Sequence, residues 1–376
     1  MRIAHLADIH LGYRAYNRVT RQGLNCREAD VFNAFRQALA KVVEIQPDLI
    51  VIAGDLFHSV RPSNLCIERT FAEFVELRTR SEAPIVLIGG NHDSPRSVET
   101  GCILDLFQNI PRTFVVHRGY SAVEIPELAA TVFCLCHSTI EVISSLKIEP
   151  NPSSRYNVLA VHGTLEGIGQ SFYDTVPPIT RSLVLRDDWD YIALGHYHIN
   201  EKLADNAYYS GSTEFTSFNI WQETERPKGF IEFDLDERRL VGFHEVDTRD
   251  VVDLRPVDGD GLSGGELDGL IRARLEGVRG GHEEKILRLV VQNIPRAIIP
   301  DLDYRAIRQF RSEALHFDLK FLPPKKEALR SAAGNSHAAR SLEEEWREFA
   351  LSYEAPGGVD REELVARGLE YLAAQE

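Results

Sequence analysis

No stretch of this 376-residue sequence is apolar for long enough to span a bilayer. Its opening, MRIAHLADIH, carries charge within ten residues and lacks an apolar core of signal-peptide length, so a cytoplasmic enzyme is expected. Paired cysteines are missing too. The five present (Cys26, Cys66, Cys102, Cys134, Cys136) are scattered and odd in number, which argues against a disulfide framework or a thiolate metal site. Cys134 and Cys136 lie two apart in the strand-like TVFCLC and should turn to one face as buried thiols. Positive charge is also short. With 42 Lys and Arg against 57 Asp and Glu, the net charge of −15 argues against holding nucleic acid by surface charge alone. The shortfall is uneven: residues 341–376 hold three arginines against ten acidic side chains, as a solvated helical tail or a docking element for a basic partner would.

What is present is ordinary in bulk, 43% hydrophobic and 26% charged, and long enough for one large domain of roughly 200–250 residues with one or two small ones. Short apolar runs alternate with amphipathic segments. RIAHLAD, DLIVIAGD, PIVLIGGNHD, TVFCLCH, NVLAVHG and DYIALGHYH read as strands, and their near-continuous Val, Ile and Leu content implies cover on both faces. READVFNAFRQALAKVVEIQ sets Val31, Phe35, Leu39, Val42 and Val43 at helical spacing. NLCIERTFAEFVELRTR is the next helix, with Leu65, Phe71, Phe74 and Leu77 expected inward. The fold class is therefore α/β, in layers.

After Phe215 the texture changes. GFIEFDLDERRLVGFHEVDTRD reads as antiparallel strands around a charged turn, and KILRLVVQNI, LDYRAIRQFRSEAL and HFDLKFL as strand, helix and strand. The domain expectation is 1–250 for the main body and 251–322 for a small α+β domain. A polar linker at 323–340 follows, with Lys325 and Lys326 keeping it soluble, and then two helices in 341–376. Trp346, Phe349, Ala350 and Tyr353 form an i, i+3, i+4, i+7 stripe. So small a hairpin buries too little alone, so this face should need a partner.

The chemistry gathers where strands end, as ligand groups do in open α/β sheets. The first strand runs out into Asp8-Ile9-His10, the second into Asp55, and the third into Asn91-His92-Asp93. NVLAVHG ends at His162, and DYIALGHYH at His196 and His198. Mixed nitrogen and oxygen donors without thiolate suit manganese, iron or zinc rather than a calcium cage. There are more donors than one ion needs. Two ions ~3.5–4 Å apart, sharing a carboxylate, would use them all and would clamp a phosphoryl group for in-line displacement. Two dications against two carboxylates leave about two positive charges, enough to draw a phosphodiester to an acidic chain.

The five motifs D-x-H, GD, GNHD, H-G and GHxH, in order and each after a strand, resemble the calcineurin-like metallophosphoesterases. Within that group ADIHLGY, AGDLFHSVRPS, GGNHD, GHYH and YSGSTEFTSF resemble the SbcD nucleases of double-strand-break repair. Phosphatases of the group typically continue GD with xVDRG, where this chain has LFHSV. The resemblance is specific over about 1–250 and looser beyond. It implies a β-sandwich flanked by helices, a DNA-capping small domain at 251–322, and a C-terminal pair of helices that docks an SbcC-type SMC-like ATPase. It implies, too, a homodimer acting on DNA (duplex ends, hairpins or single strands) at the nucleoid.

Carried over by motif, Asp8, His10 and His198 hold one ion and Asn91, His162 and His196 the other, with Asp55 bridging. His92 faces the scissile phosphate instead of ligating, His58 helps position the phosphate or His92, and Asp93 orients a ligand or its loop. Two manganese ions are implied, although affinity order alone favours zinc, and iron or magnesium also suits such donors. Tyr13, Arg14, Tyr16 and Arg18, on the loop leaving the first strand, could contact DNA phosphates or simply be solvated. His5 reads as a core histidine, and His117, His137 and His244 lack a partner motif. The competing reading is a small-molecule phosphodiesterase or nucleotidase on the same scaffold, which would need neither the small domain nor the tail.

Overall fold

The computed structural model describes residues 1–95, 97–168, 176–324, 346, 350 and 361–373. The chain begins β1 (Arg2–Leu6), α1 (Cys26–Ile45), β2 (Leu49–Ile52), α2 (Asn64–Arg80), β3 (Ile85–Ile88) and β4 (Thr113–Val116). It continues β5 (Tyr120–Ile125), β6 (Ala130–Leu135), β7 (Tyr156–His162), α3 (Arg181–Val184), β8 (Tyr191–Gly195), β9 (Glu201–Ala204) and β10 (Ala207–Tyr209). The hairpin β11 (Gly229–Asp234) and β12 (Arg239–Glu245) follows. The first sheet has the order β12-β11-β1-β2-β3-β4 and the second β5-β6-β7-β8-β10-β9. β1 to β4 are mutually parallel, as are β6, β7, β8 and β10, while β11, β12, β5 and β9 run antiparallel to their neighbours.

Alternation along each strand builds three apolar layers. Ile3, Leu49, Val51 and Val86 meet Val132, Cys134, Val158 and Ala160 between the sheets. Ala4, Leu6, Ile50, Ile52 and Leu87 pack instead on Val31, Phe35, Val42, Phe74 and Leu77 of α1 and α2. Leu135, Leu159, Val161 and Ile192 are covered on the far side by Ile140, Ile143 and Trp189. This is the expected layered α/β sandwich flanked by helices. Cys134 and Cys136 sit together in the middle layer as buried free thiols. Both main helices are capped from the sequence: Asn25 accepts from the amides of Arg27 and Glu28, and Ser63 from that of Cys66.

One helix face is displaced from expectation. Leu65 is 42% exposed, and the buried stripe of α2 is Cys66, Thr70, Phe74 and Leu77. The small Cys66 is what fits there, because its sulfur lies 3.2 Å from where a Cβ on Gly12 would be.

Beyond the hairpin come β13 (Val251–Asp258), α4 (Gly264–Glu276), β14 (Ile286–Gln292), α5 (Tyr304–Glu313), β15 (His316–Phe321) and α6 (Arg361–Ala373). The strand, helix, strand series at 286–321 matches expectation, while β13 and α4 add to it. β13, β14 and β15 pair in that order. The chain divides into two compact units, one of Met1–Asp253, His282–Arg288 and Gln309–Phe317, the other of Leu254–Gly281, Leu289–Arg308 and Asp318–Glu376. Within the second, Ser263 and Glu266 form a reciprocal cap on α4, whose Leu267, Ile271 and Leu275 are buried. Trp346 donates its indole N–H to the Val365 carbonyl at 3.2 Å. Trp346 therefore packs against α6 of its own chain. Phe349, Tyr353 and most of the linker, Lys325 and Lys326 included, lie outside the described residues. Among the described residues no helix is long and apolar enough to cross a membrane.

Candidate metal centre

Parallel strands deliver their carboxyl ends to one rim, and hydrogen bonds tie the two sheets together there. His162, the last residue of β7, directs Nδ1 to the Ala53 carbonyl just past β2 at 2.8 Å. His137, just past β6, donates its amide to Gly89 just past β3 at 3.3 Å. The rim is so crowded that glycine is needed. A Cβ on Gly90 would collide with the Asp55 carboxylate, and one on Gly54 (φ 91°) with the His162 ring. Asp8, His10, Asp55 and His196 all take positive φ, at 51°, 55°, 52° and 96°. Left-handed backbone costs about 1–3 kcal/mol per residue and persists where the surroundings over-determine it, typically at functional sites.

The seven expected donors converge. His10 Nε2 lies 3.0 Å from His198 Nε2 and 3.7 Å from Asp55 Oδ2. His162 Nε2 lies 3.3 Å from the same Asp55 oxygen and 3.1 Å from Asn91 Oδ1, which is also 3.0 Å from His196 Nδ1. Asp8 accepts the His196 amide on both carboxylate oxygens, at 2.9 and 3.0 Å. Ligand atoms of Asp8, His10 and His198 fall within 4.8 Å of one another, as do those of Asp55, His162 and His196. Two overlapping nests, with Asp55 reaching both, suit a pair of divalent cations.

The His162 tautomer is preset. A carbonyl can only accept, so the bond to Ala53 places a proton on His162 Nδ1 and leaves Nε2 to face the nest. Thr216 Oγ1, 3.3 Å from His198 Nδ1, orients that ring but, as a hydroxyl that can donate or accept, leaves its tautomer open.

Electrostatics differ across the cluster. Burial, then the facing His92 and His58, hold His10 well below the usual imidazole range, and burial followed by His10 does so for His198. Burial alone would raise Asp55, but His162 and then His10 and His92 draw it well below the carboxylate range. His162 is pushed up to about 9, because Asp55 and Asp8 outweigh its burial. Burial raises Asp8 to about 6 and, with Asp55 adding, Asp93 to about 7.

Around the donors, His92 gives its amide to Asp55 Oδ1 at 2.9 Å and its Nδ1 proton to the His58 carbonyl at 2.9 Å. Its ring stands 4.8 Å from that of His10 and stacks on that of His58 at 5.0 Å. His58 in turn meets Tyr13 edge-on at 5.0 Å. Asp93 is fully buried. It ties the loops together by accepting amides of Leu56 (2.8 Å), Phe57 (3.4 Å) and Gly90 (2.9 Å). The first loop is largely engaged within the protein. Arg14 pairs with Glu28 at 2.6 Å, Tyr16 stacks on His316 at 4.0 Å, and Arg18 caps carbonyls at the end of α5, Arg311 and Ala314 among them.

His5 is a core histidine, buried, 2.9 Å from the Tyr191 hydroxyl and pushed by burial down to about 3. His117 pairs with Asp105 and His244 with Glu232. His137 departs from expectation, since its ring centroid lies 5.7 Å from that of His196 and 6.1 Å from that of His162. Two further residues went unnoticed in the sequence. Lys228, buried with Glu223, donates to the His198 carbonyl at 2.8 Å, and Thr216 holds the ring of the same histidine. The placement of Thr216 inside YSGSTEFTSF was the available signal.

The calcineurin-like phosphoesterase family pattern matches residues 1–200. The chain is 30% identical over 251 residues to the DNA double-strand break repair protein Mre11 of Methanococcus maripaludis, covering 62% of this chain and 63% of that protein. It is 26% identical to the Methanopyrus kandleri protein of the same name, over 100% of this chain and 77% of that one. Against the SbcD component of the nuclease SbcCD of Staphylococcus epidermidis it is 28% identical, over 69% of this chain and 73% of the other. The chain thus spans less than two thirds of the Methanococcus maripaludis relative's length.

Proposed function

The chain belongs to the calcineurin-like phosphoesterase family, and from that premise we propose that it is a manganese-dependent DNA exo- and endonuclease of double-strand-break repair. The observation that carries the reading is the convergence of seven donors into two nests around Asp55, with His92 held beside them by its bonds to Asp55 and to the His58 carbonyl. The names of the similar archaeal and staphylococcal proteins favour DNA as the substrate.

In this reading Asp8, His10 and His198 hold one ion, Asn91, His162 and His196 the other, and Asp55 both. When bound, the pair supplies a water acidic enough to ionise at neutral pH and the charge to neutralise phosphoryl oxygens. The protein does the rest. Asp55 fixes the separation of the nests. His92, with its Nδ1 proton tied to the His58 carbonyl, would turn Nε2 to the phosphate; when the ring is doubly protonated it would neutralise developing charge and pass its Nε2 proton to the leaving sugar oxygen. His58 braces the ring from behind by stacking. Asp93 holds the Asp55 and Asn91 loops at a constant distance through its three amides. Tyr13, beside His58, would meet the strand being cut. A homodimer, and an SbcC-type ATPase bound through residues 341–376, complete the proposal. Deleting 341–376 should abolish ATPase association and leave nuclease activity intact.

Purified protein with manganese and end-labelled duplex DNA provides the test. Wild type should cleave, and His92→Ala should lower kcat by roughly 10²–10⁴-fold, the usual contribution of a positioned acid, while still binding two ions. No cleavage by wild type, or full cleavage by His92→Ala, would overturn the reading.

A further inference from the structure

Three neighbouring parallel strands each place a histidine at the same rim: β6 delivers His137, β7 His162 and β8 His196. The three imidazoles form a triangle, with centroids 5.2 Å apart for His162 and His196, 5.7 Å for His137 and His196, and 6.1 Å for His137 and His162. Two corners belong to the Asn91 nest. The third, His137, lies outside all three groups of donor atoms that close to 4.8 Å among the described residues, and it is only half-buried. Its backbone is fixed on both sides. Cys136 donates its amide to the Gly119 carbonyl at 3.2 Å, and the His137 amide bonds Gly89, two residues before Asn91.

The opposite flank shows what such a position can do. There His92 and His58 stand beside His10, with ring centroids 4.8 and 5.4 Å from it, and in the proposed reading they meet the phosphate. In an in-line displacement the attacking and leaving oxygens lie on opposite sides of phosphorus, so the phosphoryl group can be met by protein donors from both flanks. The His92 flank can meet one side of that group. The Asn91 flank needs a donor of its own, and His137, half-exposed and outside the donor nests, stands there at the height of the nest set by the β6 to β7 register.

We propose that His137 is a substrate-contacting residue that donates a hydrogen bond to a phosphoryl oxygen of the bound diester on the side of Asn91, His162 and His196. The proposal rests on the phosphoesterase reading of the site but not on DNA as the substrate. It assigns a function to a side chain whose sequence context offered none.

The test uses the full chain loaded with manganese, with inorganic phosphate as the probe, titrated by calorimetry. His137→Phe keeps a flat ring in the triangle and removes both nitrogens. His137→Gln keeps a donor without the ring. The expectation is that His137→Phe binds phosphate about 10–100-fold more weakly, as a lost hydrogen bond to a charged group implies, that His137→Gln recovers most of the affinity, and that both bind two manganese ions like wild type. With bis-p-nitrophenyl phosphate, KM should rise more than kcat falls. Unchanged phosphate affinity in His137→Phe overturns the proposal. Loss of one ion also does so, since His137 would then be a ligand. Phosphate affinity reads His137 whether or not the protein turns over DNA, so failure of the nuclease reading is told apart by DNA cleavage alone.

Discussion

The two nests of the site use the same side chain in opposite electrical states. His10 and His198 face each other at 3.0 Å, and burial together with the neighbouring rings keeps them neutral far below their usual range. His162 instead faces Asp55 at 3.3 Å and is pushed up to about 9. A strand end thus fixes where an imidazole sits, while the nearest neighbour fixes whether it carries a proton. In the proposed metal centre one nest would offer neutral ligands. The other holds an internal ion pair that a cation must displace.

Removing the shared carboxylate should break the distinction altogether. Asp55→Ala is expected to abolish phosphodiester hydrolysis, because the charge that spaces both ions is lost together with the activated water. Calorimetry should find fewer than two manganese ions per chain. Two ions with full turnover would mean that Asp55 bridges nothing.

Lowering the pH should sharpen the distinction. Below about 9 His162 is protonated in the metal-free protein, so binding expels that proton, and affinity at its nest should fall about tenfold per pH unit. Between pH 8 and 6 the loss should reach about 100-fold for that ion. His10 and His198 have no proton to expel in that window, and Asp8, pushed up to about 6 by burial, adds one only around and below that pH. The first ion should therefore hold its affinity down to about pH 6. Manganese titrations at several pH values, with proton release read from the buffer dependence of the heat, would show two separating curves. Identical slopes would refute the assignment of charge states.

A smaller effect tests one nest alone. Thr216→Val removes the hydroxyl beside His198 Nδ1 and should weaken the ion at the Asp8, His10 and His198 nest by about 10–100-fold, as loss of a partner behind a ligand does. The other ion should be unaffected.

Residues whose placement follows from position along a strand were readable in advance. D-x-H, GD, GNHD, H-G and GHxH each follow a strand, and the parallel topology then forces them onto one rim. Residues whose placement depends on neighbours in other strands and loops were not. His137 ends a strand without a motif, and only the pairing of β6 with β7 brings it beside His162. Lys228 and Thr216 reach His198 through a loop far along the chain. In the fold, Leu65 was expected inward because a leucine outranks a cysteine in hydrophobic pattern, yet the close approach of Gly12 favours Cys66. β13 and α4 escaped notice because their buried positions are spaced among many charges: Val251, Leu254 and Val257 in the strand, Leu267, Ile271 and Leu275 in the helix.

Anomalous scattering from crystals grown in saturating manganese tests the central claim most directly. Two peaks ~3.5–4 Å apart are predicted, one at Asp8, His10 and His198, the other at Asn91, His162 and His196, with an Asp55 oxygen in reach of both. A single peak, or two with Asp55 touching neither, would contradict the account.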